Sequence, residues 1–162
     1  MKNTLLTIVI MLVGLPLFPQ QTVFEISGGK KTATYKQTIA YYTQLAAQYS
    51  EVKIEEIGMT DSGLPLHLVT VSLHKEFDFV KAHSAGKAVL LINNGIHPGE
   101  PDGIDASMML VRDYLSDKEK KKMLENVVLA IIPIYNVGGA LNRNSTTRTN
   151  QIGPLEYGFR GN

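Results

Sequence analysis

The chain contains no cysteine among its 162 residues. This absence excludes disulfide bonds, zinc sites built from thiolates and cysteine nucleophiles. The chain also lacks a charge excess, because 16 basic and 15 acidic residues leave a net charge of +1. That balance argues against a nucleic-acid partner and against electrostatic attachment to a membrane surface. There are no repeats and no low-complexity segments, and 44% of the residues are hydrophobic, which is enough for one domain with a real core.

The first 20 residues have the pattern of a secretory signal peptide. Lys2 provides a positive charge, and residues 5–18 form an almost wholly apolar run. This run is shorter than the roughly 20 residues that a membrane-spanning helix needs. We therefore expect residues 1–20 to be removed by cleavage near Pro19–Gln21, and residues 21–162 to form a secreted or periplasmic domain without a membrane partner. An uncleaved anchor or a short buried helix is the alternative.

A helix and a hairpin are predicted before the central part of the chain. Thr34 and Gln37 have capping-box spacing, and the tyrosines that follow recur at helical intervals on a face that should pack against the core. Residues 52–57 and 66–73 read as strands, joined through the turn signal Asp61-Ser62-Gly63. Three histidines in this half are expected to be structural or solvated: two on or beside the second strand and one in a later loop (His67, His74 and His83).

Residues 87–115 form the stretch around which the rest is organised. The apolar run of residues 88–92 predicts a strand buried on both faces, and it ends at the turn signal Asn93-Asn94-Gly95. A helix follows, with one apolar stripe (Ile104, Met108, Val111 and Leu115). Residues 127–134 form a second apolar strand, so that a right-handed crossover predicts a parallel pair in an α/β sheet. From Asn136 to the end, a Gly-, Asn- and Arg-rich stretch shows no periodicity, which is typical either of a functional loop or of a segment that packs against further chain.

His97 and Glu100 lie between the predicted strand and helix. This is the carboxyl end of the strand, where open α/β sheets keep their sites. Zinc accepts imidazole nitrogen and carboxylate oxygen, and a catalytic site uses three such ligands with one position open to water. The pair therefore predicts a zinc site. A capping carboxylate beside an ordinary loop histidine is the alternative interpretation of the same residues.

The segments NGIHPGEPDGIDA, IIPIYNVGG and NRNSTTRTNQ together resemble the zinc metallocarboxypeptidases. The resemblance extends from about residue 32 to residue 162 and includes the hairpin segment GMTDSGLPLHLVTVS. It implies a mixed, largely parallel α/β sheet flanked by helices, incomplete in this chain. It also implies zinc held by His97 and Glu100, with an arginine after Asn136 polarising the scissile carbonyl. Arg148 is the favoured candidate and Arg143 the second.

The same resemblance implies zinc-dependent hydrolysis at the C-terminus of a peptide substrate. The chain departs from the family pattern in two places: the turn Asn136-Val137-Gly138-Gly139 lacks the usual Pro-Asp, and no counterpart is present for the second histidine ligand, the carboxylate-binding Asn-Arg pair or the general base. We therefore expect little or no activity from this chain alone. Two alternatives remain: a zinc amidohydrolase of N-acyl amino acids, and a non-catalytic secreted binding module on the same scaffold.

Overall fold

The structure is a computed structural model that describes residues 20–146 and 153–159. The predicted signal peptide lies outside the described residues except for Gln20, and Arg148 also lies outside them. Within the described part of the chain, no helix has both the length and the apolar character needed to cross a bilayer.

The described residues contain helices α1 (Val23–Ile26), α2 (Tyr35–Gln48), α3 (Phe79–Ser84), α4 (Asp102–Ser116), α5 (Lys118–Lys122) and α6 (Val137–Leu141). The predicted capping box starts α2: the Thr34 hydroxyl accepts a bond from the Gln37 amide, and the Gln37 side chain accepts one from the Thr34 amide. These two bonds satisfy amide groups that would otherwise lack partners at the start of the helix.

Four strands form one mixed sheet: β1 (Val52–Met59), β2 (Pro65–Val71), β3 (Ala88–Asn93) and β4 (Val127–Ile132), in the order β1-β2-β4-β3. β1 and β2 form the predicted antiparallel hairpin, with a register shift between Glu56 and Gly58. β2 also pairs antiparallel with β4, whereas β3 and β4 are parallel. The predicted mixed α/β sheet flanked by helices is therefore confirmed, and so is the parallel pair made by the crossover through α4.

The hydrophobic core lies between the sheet and the helices α2 and α4. The predicted stripe of α4 is confirmed, because Ile104, Met108, Val111 and Leu115 are all at most 5% exposed. On α2, Tyr42 and Leu45 are fully buried, and Tyr35 is 8% exposed. Burying these side chains excludes water from a large apolar area, which is the main favourable contribution to folding.

The prediction that residues 88–92 are buried on both faces is wrong for the described structure. β3 lies at the end of the sheet, and Val89, Leu90 and Leu91 are 40%, 52% and 59% exposed. Within the described residues, only β4 pairs with β3. The apolar run correctly predicted a strand, but its burial depends on neighbours that the run itself does not specify.

Two predicted loops contain short helices. The stretch after Asn136 begins with α6, and its later part makes an isolated bridge between Asn144 and Tyr157. The Asn136 side chain accepts a bond of 2.8 Å from the Gly139 amide and so caps α6. His83 lies on α3 rather than in a loop, because the Asp78 side chain caps that helix by accepting bonds from the amides of Val80 and Lys81. Helices this short carry no readable periodicity, so only their caps could have been recognised.

Tyr42 offers a test of how the core is packed. Its side chain is fully buried, and its hydroxyl makes no hydrogen bond within the described residues. Burial raises the pKa of this hydroxyl. We expect Tyr42→Phe to increase the free energy of unfolding in urea by about 1 kcal/mol, because a buried polar group without a partner is costly.

The adjacent Tyr41 is the matched control for this substitution. Its hydroxyl donates a bond of 2.9 Å to the Gln20 carbonyl. Tyr41→Phe should therefore lower the free energy of unfolding by about 1 kcal/mol. Equal losses in both variants would show that the Tyr42 hydroxyl has a partner in solution.

Candidate metal site

The chain leaves β3 through an elbow that is tied to the end of β4. The Asn94 amide donates a bond of 3.0 Å to the Ile132 carbonyl, and the Tyr135 amide donates one of 2.8 Å to the Asn94 carbonyl. The Asn136 amide donates a further bond of 3.0 Å to the Gly95 carbonyl. The two parallel strands therefore continue side by side past their carboxyl ends, which is where α/β sheets place binding sites.

His97 and Glu100 flank the tight turn that follows this elbow. The Glu100 amide donates a bond of 2.8 Å to the His97 carbonyl and closes the turn. His97 is exposed, Glu100 is half-buried, and Pro98 and Gly99 between them are buried. α4 begins two residues after Glu100, so the turn is fixed between the end of β3 and the start of a well-packed helix.

The elbow is also anchored to α4 by a buried side chain. Asn94 is 7% exposed, and its side-chain amide donates a bond of 2.8 Å to the Ser107 hydroxyl. Opposite Asn94, Gly103 has no room for a side chain, because a Cβ atom there would lie 2.7 Å from the Asn94 Oδ1 atom. Glycine at position 103 thus allows helix and elbow to approach closely.

The donor chemistry of His97 and Glu100 fits zinc, which accepts imidazole and carboxylate ligands. Across residues 20–146 and 153–159, no group of three potential ligands from His, Cys, Asp and Glu comes together. All four histidines and all 15 acidic residues of the sequence lie in those ranges. The turn therefore presents two side chains of the types that zinc accepts, whereas a catalytic zinc site uses three protein ligands.

A segment from near the end of the chain, residues 155–159, lies across the turn; we call it the covering segment. The Gly158 amide donates a bond of 3.1 Å to the Pro98 carbonyl, and the Phe159 amide donates one of 2.8 Å to the Gly139 carbonyl. A Cβ atom on Gly158 would lie 2.5 Å from the Pro98 Cβ atom, so only glycine permits this contact. The role of Gly158 is not predictable from the sequence, because nothing near it in the chain indicates that it approaches Pro98.

Arg143 lies beside the covering segment, where its guanidinium group donates to three backbone carbonyls. These bonds go to Glu156 (2.8 Å), Thr32 (3.2 Å) and Ala33 (3.4 Å). Burial lowers the pKa of Arg143, although the charges of Glu156 and Asp105 act in the opposite direction. The side chain is thus engaged in joining backbone segments.

Asp105, in the first turn of α4, completes this cluster. It is 3% exposed, and it accepts bonds from the Thr32 hydroxyl and from the Ala33 amide. Burial raises the pKa of the Asp105 carboxyl, while the bond from Thr32 and the charge of Arg143 oppose that shift. Thr32 and Ala33 are therefore held by α4 on one side and by Arg143 on the other.

An open cavity of about 420 Å³ lies next to the turn. Its lining combines the β1–β2 turn with the ends of β3 and β4 (Thr60, Asp61, Leu66, Ile96, Tyr135, Asn136 and Val137). Ile96 and Tyr135 expose 47% and 50% of their surface. This apolar surface adjoins His97, which follows Ile96 in the chain, and it offers room for a ligand side chain.

A family model described as zinc carboxypeptidase matches residues 38–154, which include the His97–Glu100 turn. The chain belongs to the zinc carboxypeptidase family. The family assignment made from the sequence motifs is therefore confirmed. No curated protein sequence matches the chain.

Solved carboxypeptidase structures share the fold. Carboxypeptidase A from Helicoverpa armigera is 21% identical, with a TM-score of 0.60 over 70% of this chain and 26% of that protein. A thrombin-activatable fibrinolysis inhibitor structure is 19% identical, with a TM-score of 0.56 over 78% of this chain and 34% of that one. The metallo-carboxypeptidase from Burkholderia cenocepacia is 21% identical, with a TM-score of 0.53 over 67% of this chain and 28% of that protein. The chain thus spans about a quarter to a third of the length of these structures.

Family and fold do not test the individual site residues. His97 and Glu100 remain predicted zinc ligands, brought together on one turn of the described structure. Arg143 remains a candidate for polarising a carbonyl, although its bonds to three carbonyl groups fit a structural role better. Arg148 lies outside the described residues and stays a prediction from the sequence.

Proposed function

We propose that this chain provides part of a zinc-dependent carboxypeptidase site, which hydrolyses the C-terminal bond of a peptide. The observation that carries the proposal is the His97–Glu100 turn at the carboxyl end of β3, in a member of the zinc carboxypeptidase family. Membership in a peptidase family favours a peptide substrate over N-acyl amino acids. The predicted ligands likewise favour a catalytic ancestry over a purely binding module.

His97 and Glu100 would hold the zinc ion through an imidazole nitrogen and a carboxylate oxygen. Bound there, zinc would supply Lewis acidity toward a carbonyl group and toward water. Two protein ligands hold such an ion more weakly than three, so we infer that efficient hydrolysis requires a third ligand in addition to this pair. The apolar cavity beside Ile96 would accommodate part of the peptide.

An arginine near the scissile carbonyl would stabilise negative charge developing on its oxygen. Arg148 is the candidate that we retain for this role, because the Arg143 guanidinium is already bonded to three backbone carbonyls. We further propose that the protein is secreted or periplasmic, on the basis of Lys2 and the apolar run of residues 5–18.

Zinc titration of the purified chain tests this function directly. The ring signals of the four histidines can be followed by NMR as Zn²⁺ is added to the apo protein. We expect the His97 signals to shift first and to saturate, and the substitution His97→Ala to abolish the saturable binding. The reason is that His97 is the histidine whose turn also presents a carboxylate.

His83→Ala is the matched control, because His83 is also exposed but lies on α3, away from the turn. This variant should bind zinc like the unmodified chain. Saturable binding that survives His97→Ala, or an absence of any response at His97, would contradict the proposed site. Glu100→Gln should weaken binding without removing the imidazole, which would identify the carboxylate as the second ligand.

A further inference from the structure

Two groups of contacts hold the turn that carries His97 and Glu100. The covering segment contacts it from outside, through the Gly158 amide bond to the Pro98 carbonyl and the direct packing of Gly158 on Pro98. α4 holds it from the other end, because that helix begins immediately after the turn. Any movement of the covering segment or of the first turn of α4 would therefore displace the two predicted ligands.

Arg143 is linked to both of these supports. Its guanidinium donates a bond of 2.8 Å to the Glu156 carbonyl, two residues before Gly158, and so holds the covering segment. It also donates to the carbonyls of Thr32 and Ala33, whose hydroxyl and amide groups bond to Asp105 in the first turn of α4. One side chain thus connects the segment on the outer side of the turn with the helix that follows it.

We propose that Arg143 is a positioning residue for the metal site: it fixes the covering segment and the start of α4 so that His97 and Glu100 are held ready for one ion. This inference rests on the proposed zinc function of that turn. The planar guanidinium suits the role, because it presents several donors in a fixed fork and can serve three carbonyls together. A lysine ammonium at the same position would keep the charge but not the geometry.

The test is the affinity of the full chain for Zn²⁺, measured from the His97 ring signals in NMR titrations. We expect Arg143→Met to weaken zinc binding by about 10-fold, as is typical when a group that orients metal ligands is removed. Arg143→Lys should lie between that variant and the unmodified chain. Amide hydrogen exchange in the apo protein gives a readout without metal, and it should become faster at Gly158 and Phe159 in Arg143→Met.

Arg112→Met is the matched control for a purely structural loss. Arg112 is 8% exposed and is bonded to Glu25 (2.6 Å), Asp113 (2.7 Å) and the Gln20 carbonyl (3.1 Å), none of which belongs to the turn or to the covering segment. Its removal should lower the thermal unfolding temperature but leave zinc affinity and exchange at Gly158 unchanged. Equal zinc affinity in Arg143→Met and the unmodified chain would overturn the proposal. So would an equal loss of zinc affinity in Arg143→Met and Arg112→Met.

Failure of the proposed function would be distinguishable from failure of this inference. If the unmodified chain gives no saturable response at His97, the metal site itself is wrong, whatever the arginine variants do. The other case is that the unmodified chain binds zinc as expected. In that case, the positioning role is wrong if the milder substitution Arg143→Lys leaves both the zinc affinity and the amide hydrogen exchange at Gly158 unchanged. A graded loss of affinity from Lys to Met, with faster exchange confined to the covering segment, would support it.

Discussion

Gly95→Ala is expected to lower the free energy of unfolding by about 2–4 kcal/mol, the sum of a left-handed backbone penalty and overpacking. Gly95 has a φ of +61°, a conformation that residues with a Cβ atom adopt at a cost. An added Cβ atom would also lie 3.2 Å from side-chain atoms of Ile104 and Ile134, and 3.3 Å from the Ile134 Cα atom. Urea denaturation followed by circular dichroism would measure the loss.

The same substitution should also weaken zinc binding, because Gly95 lies two residues before His97, the first residue of the turn. Its carbonyl accepts the bond from the Asn136 amide that ties the elbow to the end of β4. Moving the Gly95 backbone to relieve the contacts with Ile104 and Ile134 would shift His97 with it. We expect the His97 ring signals of the variant to respond to zinc only at higher concentration.

Gly86→Ala separates the backbone penalty from the overpacking, the two contributions to the stability loss expected for Gly95→Ala. Gly86 has a φ of +76°, but nothing lies within 4 Å of a Cβ atom placed there. It should therefore show only the backbone penalty, about 1 kcal/mol, and normal zinc binding. If Gly86→Ala and Gly95→Ala cost the same, crowding in the elbow is not the reason that position 95 is glycine.

The parts of the structure that the sequence predicts well are those determined by neighbouring residues. The capping box of Thr34 and Gln37 and the turn between His97 and Glu100 each involve residues only three positions apart. The stripe on α4 likewise follows from a period of 3.6 residues, and all four of its predicted members are buried. These features depend only on residues that are close in the sequence, so they can be predicted without knowledge of the rest of the fold.

The parts that the sequence does not reveal depend on contacts between distant segments. Nothing near Gly158 indicates that it packs on Pro98, and nothing near Arg143 indicates that its acceptors are Thr32, Ala33 and Glu156. Arg143 is a candidate for polarising a carbonyl because the resemblance to the zinc metallocarboxypeptidases implies such an arginine after Asn136, and this role stays a prediction. Its bonds in the folded chain join residues 32 and 33 to the covering segment, which lies across the His97–Glu100 turn.

β3 and β4 illustrate the same limit for burial. Both have apolar runs of similar length and composition, and they pair in parallel, with Ile92 opposite Ile131. Yet Ile131 is fully buried and Leu91 is 59% exposed. The difference arises because β4 lies between β2 and β3, whereas β3 is at the end of the described sheet.

Ile131→Ala and Leu91→Ala should therefore differ sharply in cost. We expect Ile131→Ala to lower the free energy of unfolding by about 3–4 kcal/mol, because it leaves a cavity in the core. Leu91→Ala should cost less than about 0.5 kcal/mol, since its side chain is mostly in water before and after unfolding. Both values can be measured by urea denaturation at a protein concentration low enough to avoid association.

The concentration dependence of the Leu91→Ala result makes the comparison informative. If Leu91→Ala costs as much as Ile131→Ala at low concentration, the Leu91 side chain is buried in solution and the prediction is wrong. If its cost appears only at high concentration, the apolar edge of β3 is being buried between molecules, as expected for an exposed strand without charged or proline residues to protect it. A small cost at every concentration would show that an apolar run can form a stable terminal strand of this sheet without being part of the core.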